Sequence, residues 1–199
     1  MSEITITIRP ARSSDAAALA DLAAETFPLA CPPSTTAAAI ESFIAEHFTP
    51  QRFAEYLDDA NRTLLVAEEP GGRLAGYAML VAGEPGEPGE AGEPGEPGEP
   101  GEPGDADATA AVAGRPAIEL SKFYTRAAAH GTGVAAPLMT ATLQAAAAAG
   151  AASAWLGVNE QNGRAIRFYE RHGFAKVGRK HFTLGDRIEH DWVLEHPLV

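Results

Sequence analysis

Ile4, Thr5, Ile6, Thr7 and Ile8 alternate apolar and polar side chains, the period of a half-buried strand, and Pro10 ends the run. Ser13 or Ser14 can cap a following helix, and Asp15 places a negative charge in its first turn. The apolar spacing of Ala16 to Phe27 predicts that helix, and Pro28, Pro32 and Pro33 stop it. A second helical region is predicted from about Thr35 to Leu57, interrupted near Pro50. Thr63–Ala67 and Leu74–Val81 read as the arms of a hairpin turning at Gly71-Gly72. Ile118–Thr125 is a strand. Gly131 and Gly133 then lead into a long alanine-rich helix that Gly150 ends, with Pro137 near its start, where a missing N–H costs little. Ala154–Val158 is a strand, Asn162–His172 a helix closed by Gly173, and Phe174–Leu184 with Ile188–Leu194 a last hairpin. The order β-α-α-β-β-β-α-β-α-β-β predicts an α/β protein with a mixed sheet.

One stretch departs from this pattern. From Gly83 to Gly104 glycine falls at every third position, with Glu and mostly Pro between. The period is collagen-like, but the run is short and a glutamate in each triplet repels its neighbours. The composition predicts a disordered acidic loop, and Ala106–Gly114 is expected to share its character. It sits between two predicted strands. The chain therefore reads as a single domain over 4–199, interrupted by an insertion at about 83–114.

The formal charge is −12, but outside Glu84–Asp107 it is only −3. No basic stripe suits a nucleic acid, so no nucleic-acid partner is expected. No apolar run approaches the roughly 18 residues that span a membrane. The opening MSEITITIRP lacks the basic and apolar regions of a secretory signal. Cys31 is the single cysteine, which fits a reducing compartment. A cytoplasmic location without membrane attachment is expected. The 6 histidines are scattered with no metal-ligand spacing, so no metal is predicted.

Two segments carry candidate chemistry. The first is strand, glycine turn and helix: Ile118–Thr125, then His130-Gly131-Thr132-Gly133-Val134-Ala135. Glycines let backbone N–H groups approach a phosphate, and a helix N-terminus adds donors and a positive dipole end. The same pattern serves as an ordinary strand-to-helix turn. No Gly-Lys-Ser/Thr follows, so it is not a P-loop, and Ala136 replaces the third glycine of a dinucleotide fingerprint. The second segment is Asn162-Gly163-Arg164-Ala165-Ile166-Arg167-Phe168-Tyr169 through Gly173-Phe174. By itself it is a helix capped by Asn162, with Tyr169 in the core and Gly173 as the stop.

Together the two segments closely resemble the GNAT superfamily of N-acetyltransferases. The family's signature is Gln or Arg, two residues, Gly, one residue, then Gly or Ala. Gly133 and Ala135 match its last two positions, and His130 stands where the family has Gln or Arg. A neutral imidazole there donates one hydrogen bond but brings no fixed positive charge. The family's later Asn-x-x-Ala-x-x-Phe-Tyr and Gly-Phe are matched at Asn162, Ala165, Phe168, Tyr169, Gly173 and Phe174. Ile8-Arg9-Pro10-Ala11 with Asp15 looks like its first strand and helix start. Glu119 through Trp155-Leu156-Gly157-Val158 to the Asp191 strand is similar to the subgroup of bacterial polyamine acetyltransferases.

The resemblance implies the mixed central sheet of the acyl-CoA N-acyltransferase fold. It also implies direct transfer of an acetyl group from acetyl-CoA to an amine in a ternary complex. Phe123, Tyr124, Thr125, the loop His130 to Ala135, Asn162, Ala165 and Phe168 would hold the cofactor. Tyr169 would return a proton to the departing thiolate, and Glu119 would take the amine's proton. By its residues alone Glu119 also reads as a solvated or salt-bridged strand residue. His47 lies where the family binds its acceptor, although such a histidine is more often on the surface. Consistent with direct attack, no nucleophile motif such as GxSxG occurs, and Cys31 has no activating histidine nearby in sequence. Family members are often homodimers. A protein N-terminal or lysine acetyltransferase and a non-catalytic CoA-binding regulator are the competing readings.

Overall fold

Short polar residues and prolines set the helix boundaries in the computed structural model, which describes residues 6–31, 35–83, 111–131, 133–184 and 187–198. After strand β1 (Thr7–Pro10) come helices α1 (Ala16–Thr26), α2 (Ala37–His47) and α3 (Pro50–Asp58). The Thr36 hydroxyl accepts the Ala39 N–H at 3.2 Å, and the Thr49 hydroxyl accepts that of Arg52 at 3.1 Å. Pro50 begins α3 where no N–H is needed. The predicted second helical region is thus two helices, broken where Pro50 predicts.

The start of α1 differs from the sequence expectation. Neither Ser13 nor Ser14 caps it; both lie in a 3-10 turn that precedes the helix. The Asp15 carboxylate instead accepts the Arg12 N–H at 2.7 Å and receives the Arg9 guanidinium in two bonds, at 2.7 and 3.0 Å. Those bonds hold the Asp15 carboxyl below the usual carboxylate range against the opposing effect of burial. Arg9 also reaches Glu68, at 2.6 Å from Nε, tying β1 to the strand beside it.

The remaining elements are β2 (Arg62–Glu68), β3 (Leu74–Ala82), β4 (Ala117–Thr125), α4 (Ala135–Ala148), β5 (Ser153–Asn159), α5 (Gly163–Arg171), β6 (Ala175–Leu184) and β7 (Arg187–Pro197). The strands form a mixed seven-stranded sheet in the order β1-β2-β3-β4-β5-β7-β6. β4 and β5 are parallel; β1 with β2, β5 with β7 and β6 with β7 are antiparallel. The predicted α/β class and element order hold. Among the described residues no helix is long and apolar enough to cross a membrane, and no group of three or more His, Cys, Asp or Glu could hold a metal ion.

The chain divides into two compact units: Met1–Leu80 with Lys122–Gln144, and Val81–Ser121 with Ala145–Val199. In the first, Leu19 and Leu22 of α1, Phe53 of α3, Val66 of β2, Tyr77 of β3 and Leu138 of α4 are fully buried. In the second, Leu156, Val193 and Leu194 are, and Val112, Ala117, Trp155 and Val193 form one apolar cluster.

The acidic repeat after Gly83 lies outside the described residues, as does the chain up to residue 110. Its C-terminal flank is described from Ala111, and there it is packed, unlike the sequence expectation for Ala106–Gly114. Val112 is buried. The Glu195 carboxylate accepts the Ala113 N–H at 3.1 Å and the Gly114 N–H at 2.8 Å, one on each oxygen. Burial alone would raise the Glu195 carboxyl, but these N–H groups, the Ser153 hydroxyl and Arg115 outweigh it and hold it low. A depressed carboxyl stabilises the folded state above its ordinary value near 4.5, and that stability is lost as pH falls through the folded value. Glu195→Gln sets an amide donor against an N–H donor, at a cost of about 1–3 kcal/mol near neutral pH. The melting temperature of the variant is expected to lie below that of the wild type at neutral pH. The gap should narrow as pH falls from neutral through the ordinary carboxyl value near 4.5 and below it. Parallel melting curves across that range would assign the stability to other carboxylates.

Candidate active site

In the first unit, β4 ends at Thr125 and the chain makes a 3-10 turn, Ala127–Ala129, before Gly131. Arg126 secures the exit: its amide donates to Ala75 O at 2.9 Å and its Nε to Leu74 O at 2.7 Å, and it pairs with Glu25. His130 Nε2 lies 3.2 Å from the Thr125 carbonyl. A carbonyl can only accept, so the imidazole carries its proton on Nε2 and donates it. The residue that replaces the family's Gln or Arg therefore folds the loop back onto the strand end.

Gly131 and Gly133 have φ of +78° and +88°, the left-handed region in which a side chain is strained. Chain neighbours aside, a Cβ on either would meet no atom of the described residues within 4 Å, so the outer side of this loop is open. Thr132 lies outside the described residues. Val134 is buried and anchors the loop, and its carbonyl accepts the Leu138 N–H at 3.3 Å to begin α4. The N–H groups of Ala135 and Ala136 precede any carbonyl a full turn back within α4. Beside a helix N-terminus they make a site suited to an anion.

Gly76 of β3, unnoticed in the sequence, seats this assembly. A Cβ there would lie 2.8 Å from both the Tyr124 carbonyl and Thr125 Cγ2, and 3.4 Å from Leu138 Cδ2. A glycine inside a strand is the signal that could have found it. The Tyr124 ring stacks on Tyr77 at 5.7 Å, Tyr77 meets Phe53 at 5.8 Å, and Phe53 meets Phe48 at 6.4 Å. Phe48 in turn packs on Phe27 and Phe43. Phe123 is half-buried. Lys122 is buried with its ammonium 5.8 Å from the ring centroids of both Phe48 and Tyr56. His47 is not the surface residue that its type suggests: it is buried, with its ring 4.4 Å from Phe43. Cys31 gives its thiol proton to Phe27 O at 3.4 Å, and burial pushes the thiol up to about 11. It stays protonated near neutral pH and is no nucleophile.

In the second unit, Glu119 of β4 is 3 % exposed and stands in register with Trp155 of β5. Its reading as a solvated strand residue does not hold. Asn162 caps α5 as the sequence indicates, its Oδ1 accepting the Ala165 N–H at 3.1 Å. Ile166 is the buried residue of that helix, while Ala165, Phe168 and Tyr169 are half-buried. The Tyr169 carbonyl accepts the N–H groups of His172 and Phe174 at 2.9 and 3.1 Å, closing the helix at Gly173. The Tyr169 ring meets Phe168 and Phe174 edge-on at 5.6 and 5.7 Å. It is therefore held as core residues are, yet keeps partial access, which suits a phenol that must exchange a proton. Residues Phe123 to Ala135 thus belong to the first unit, and Glu119 with Asn162 to Tyr169 belongs to the second.

Comparison with known proteins fits both halves. The model of the "Acetyltransferase (GNAT) family" matches residues 17–174. An uncharacterized N-acetyltransferase of Mycobacterium tuberculosis is 41 % identical over 186 residues, 94 % of this chain and 99 % of that protein. Among solved structures, the fold is similar to that of the PaiA N-acetyltransferase of Thermoplasma acidophilum, determined with coenzyme A (TM-score 0.69, 17 % identity, 98 % of this chain and 99 % of the other). It is also similar to the ribosomal-protein-S18-alanine N-acetyltransferase of Escherichia coli (TM-score 0.63, 14 % identity, 98 % and 94 %). With the glycine loop opening α4, the capped helix that carries Tyr169, and a close relative over nearly its full length, the chain belongs to the GNAT family of acetyltransferases.

Proposed function

We propose that the protein transfers an acetyl group from acetyl-CoA to the primary amine of a small molecule, with a polyamine as the first candidate, by direct attack. The observation that carries the donor assignment is the loop at Gly131 and Gly133. Its backbone conformation demands glycine, its outer side is open, and it opens a helix, all of which suit a pyrophosphate. Backbone groups of Phe123 to Thr125 would pair with the pantetheine arm. Asn162, whose Oδ1 is committed to the helix cap, has its amide NH₂ to offer.

In the reaction the amine nitrogen attacks the thioester carbonyl carbon. Glu119 takes the ammonium proton directly or through water, and the C–S bond breaks as the thiolate leaves. Tyr169 gives that thiolate a proton. A buried carboxyl and a half-buried phenol suit these two tasks, and the chain's net acidity, most of it in the acidic repeat, is compatible with a cationic acceptor.

The test is CoA release from acetyl-CoA, screened with spermidine, amino acids, aminoglycosides and peptides. Turnover with a small amine, and its loss in Glu119→Gln, is the expected result. Turnover confined to peptides would make the protein a protein acetyltransferase. CoA binding with no turnover on any amine would make it a binding module.

A further inference from the structure

The second unit holds a buried ammonium that the reading above does not use. Side chains in register across a sheet share a face, and they alternate along each strand. Glu119 is in register with Trp155, Asn159 with Asp191, and Asp191 with Lys180. Glu119, Trp155, Gly157, Asp191 and Lys180 therefore lie on one face. Three of them are charged, and all three are buried: Glu119 is 3 %, Asp191 4 % and Lys180 2 % exposed. Charges withdrawn from water to this degree persist where other charges compensate them.

Lys180 and its register partner Asp191 both reach toward Gly157. Lys180 Cε comes 2.5 Å, and its Nζ 3.1 Å, from the point where a Cβ on Gly157 would lie, with Asp191 Oδ2 at 3.4 Å from the same point. The ammonium is 5.8 Å from the centre of the Trp155 ring. The side chain thus crosses β7 and ends over β5, beside Trp155, the register partner of Glu119 on β4. It can do so because residue 157 has no side chain; a single methyl group would displace it.

The consequence for Glu119 is electrostatic. Burial and neighbouring carboxylates both favour the neutral form of a carboxyl, whereas a proton acceptor must be ionised. Among the residues of this unit whose side chains are described, the charged groups on its face are Lys180 of β6 and Asp191 and Glu195 of β7. β5 contributes none there, and Arg115 precedes β4 beside Glu195. Lys180 is the cation on that face whose ammonium reaches β5. We propose that Lys180 is the positioning residue for Glu119, its ammonium laid across Gly157 to keep the Glu119 carboxyl ionised and ready to receive the acceptor's proton.

This inference rests on the reading of Glu119 as the base, and the two can fail separately. The full-length chain is labelled with ¹³C-glutamate, and the Glu119 carboxyl signal is identified by its absence in Glu119→Gln. Its titration midpoint is then followed by NMR in the wild type and in Lys180→Met. Loss of the ammonium should raise the midpoint by about one to three pH units. An unchanged midpoint would overturn the proposal. Gly157→Ala keeps every charge but pushes the ammonium away, so it too should raise the midpoint, and it decides the matter if Lys180→Met does not fold. No change in folded Gly157→Ala would again overturn the coupling. Failure of the base reading shows elsewhere, as wild-type turnover in Glu119→Gln with the amine that the screen identifies.

Discussion

Tyr169→Phe should lower turnover about 10²–10⁴-fold while leaving CoA binding and stability close to those of the wild type. The ring survives the substitution, and with it the edge-on contacts to Phe168 and Phe174. The backbone closure at Gly173 uses the Tyr169 carbonyl, not its phenol, so it survives as well. What is lost is the one proton the side chain can give. The loss should shrink with an acetyl donor whose leaving group is more acidic, because that group departs without help. Turnover equal to the wild type, measured where chemistry limits the rate, would leave Tyr169 a packing residue. A thermal melt decides whether a slow variant is folded.

Gly133→Val should weaken acetyl-CoA binding about 10²–10⁴-fold, the equivalent of one or two charge-assisted hydrogen bonds. A β-branched residue at φ +88° is strained by about 1–2 kcal/mol, which a folded unit can absorb. The described residues beyond its chain neighbours offer no obstacle, since none of their atoms lies within 4 Å of the new Cβ. The added side chain points into the open outer side of the loop, where the proposed pyrophosphate would lie. The same substitution at Gly76 acts in the opposite sense. There the new carbon meets the Tyr124 carbonyl and Thr125, so stability falls before binding can be asked about. Calorimetry that finds wild-type CoA affinity in folded Gly133→Val would remove the loop from the site.

Features that depend on neighbours in the chain were legible in the sequence. The break at Pro50, the Asn162 cap and the stop at Gly173 are each decided within about four residues, and each lies where the pattern predicts. The glycine loop and the Tyr169 helix were legible for the same reason. Features settled by distant partners were not. Gly157 reads as an ordinary strand glycine until Lys180 is laid across it. Val112 sits at the edge of an acidic, low-complexity stretch, and only Trp155 and Val193 show that it belongs to a core. His47 looked solvent-exposed because its aromatic neighbour Phe43 is one helical turn away and their burial is set by Phe27 and Phe48. Ser13 and Ser14 were plausible caps, but both fall in the 3-10 turn before α1, where Arg9 from β1 and the Arg12 N–H hold Asp15.

The ring chain from Phe27 to Tyr124 couples the opening of distant backbone segments. Its members come from α1's end, α2, α3, β3 and β4, and each touches the next. Segments that share an unbroken apolar contact tend to open together. The amides at the end of β4, beside the glycine loop, should therefore exchange with deuterium at a rate governed by helices far away in sequence. Phe48 occupies the middle of that chain, so Phe48→Ala separates its two ends. Protection around Tyr124 would then decay independently of α2, and the first unit would lose one cooperative step and gain two.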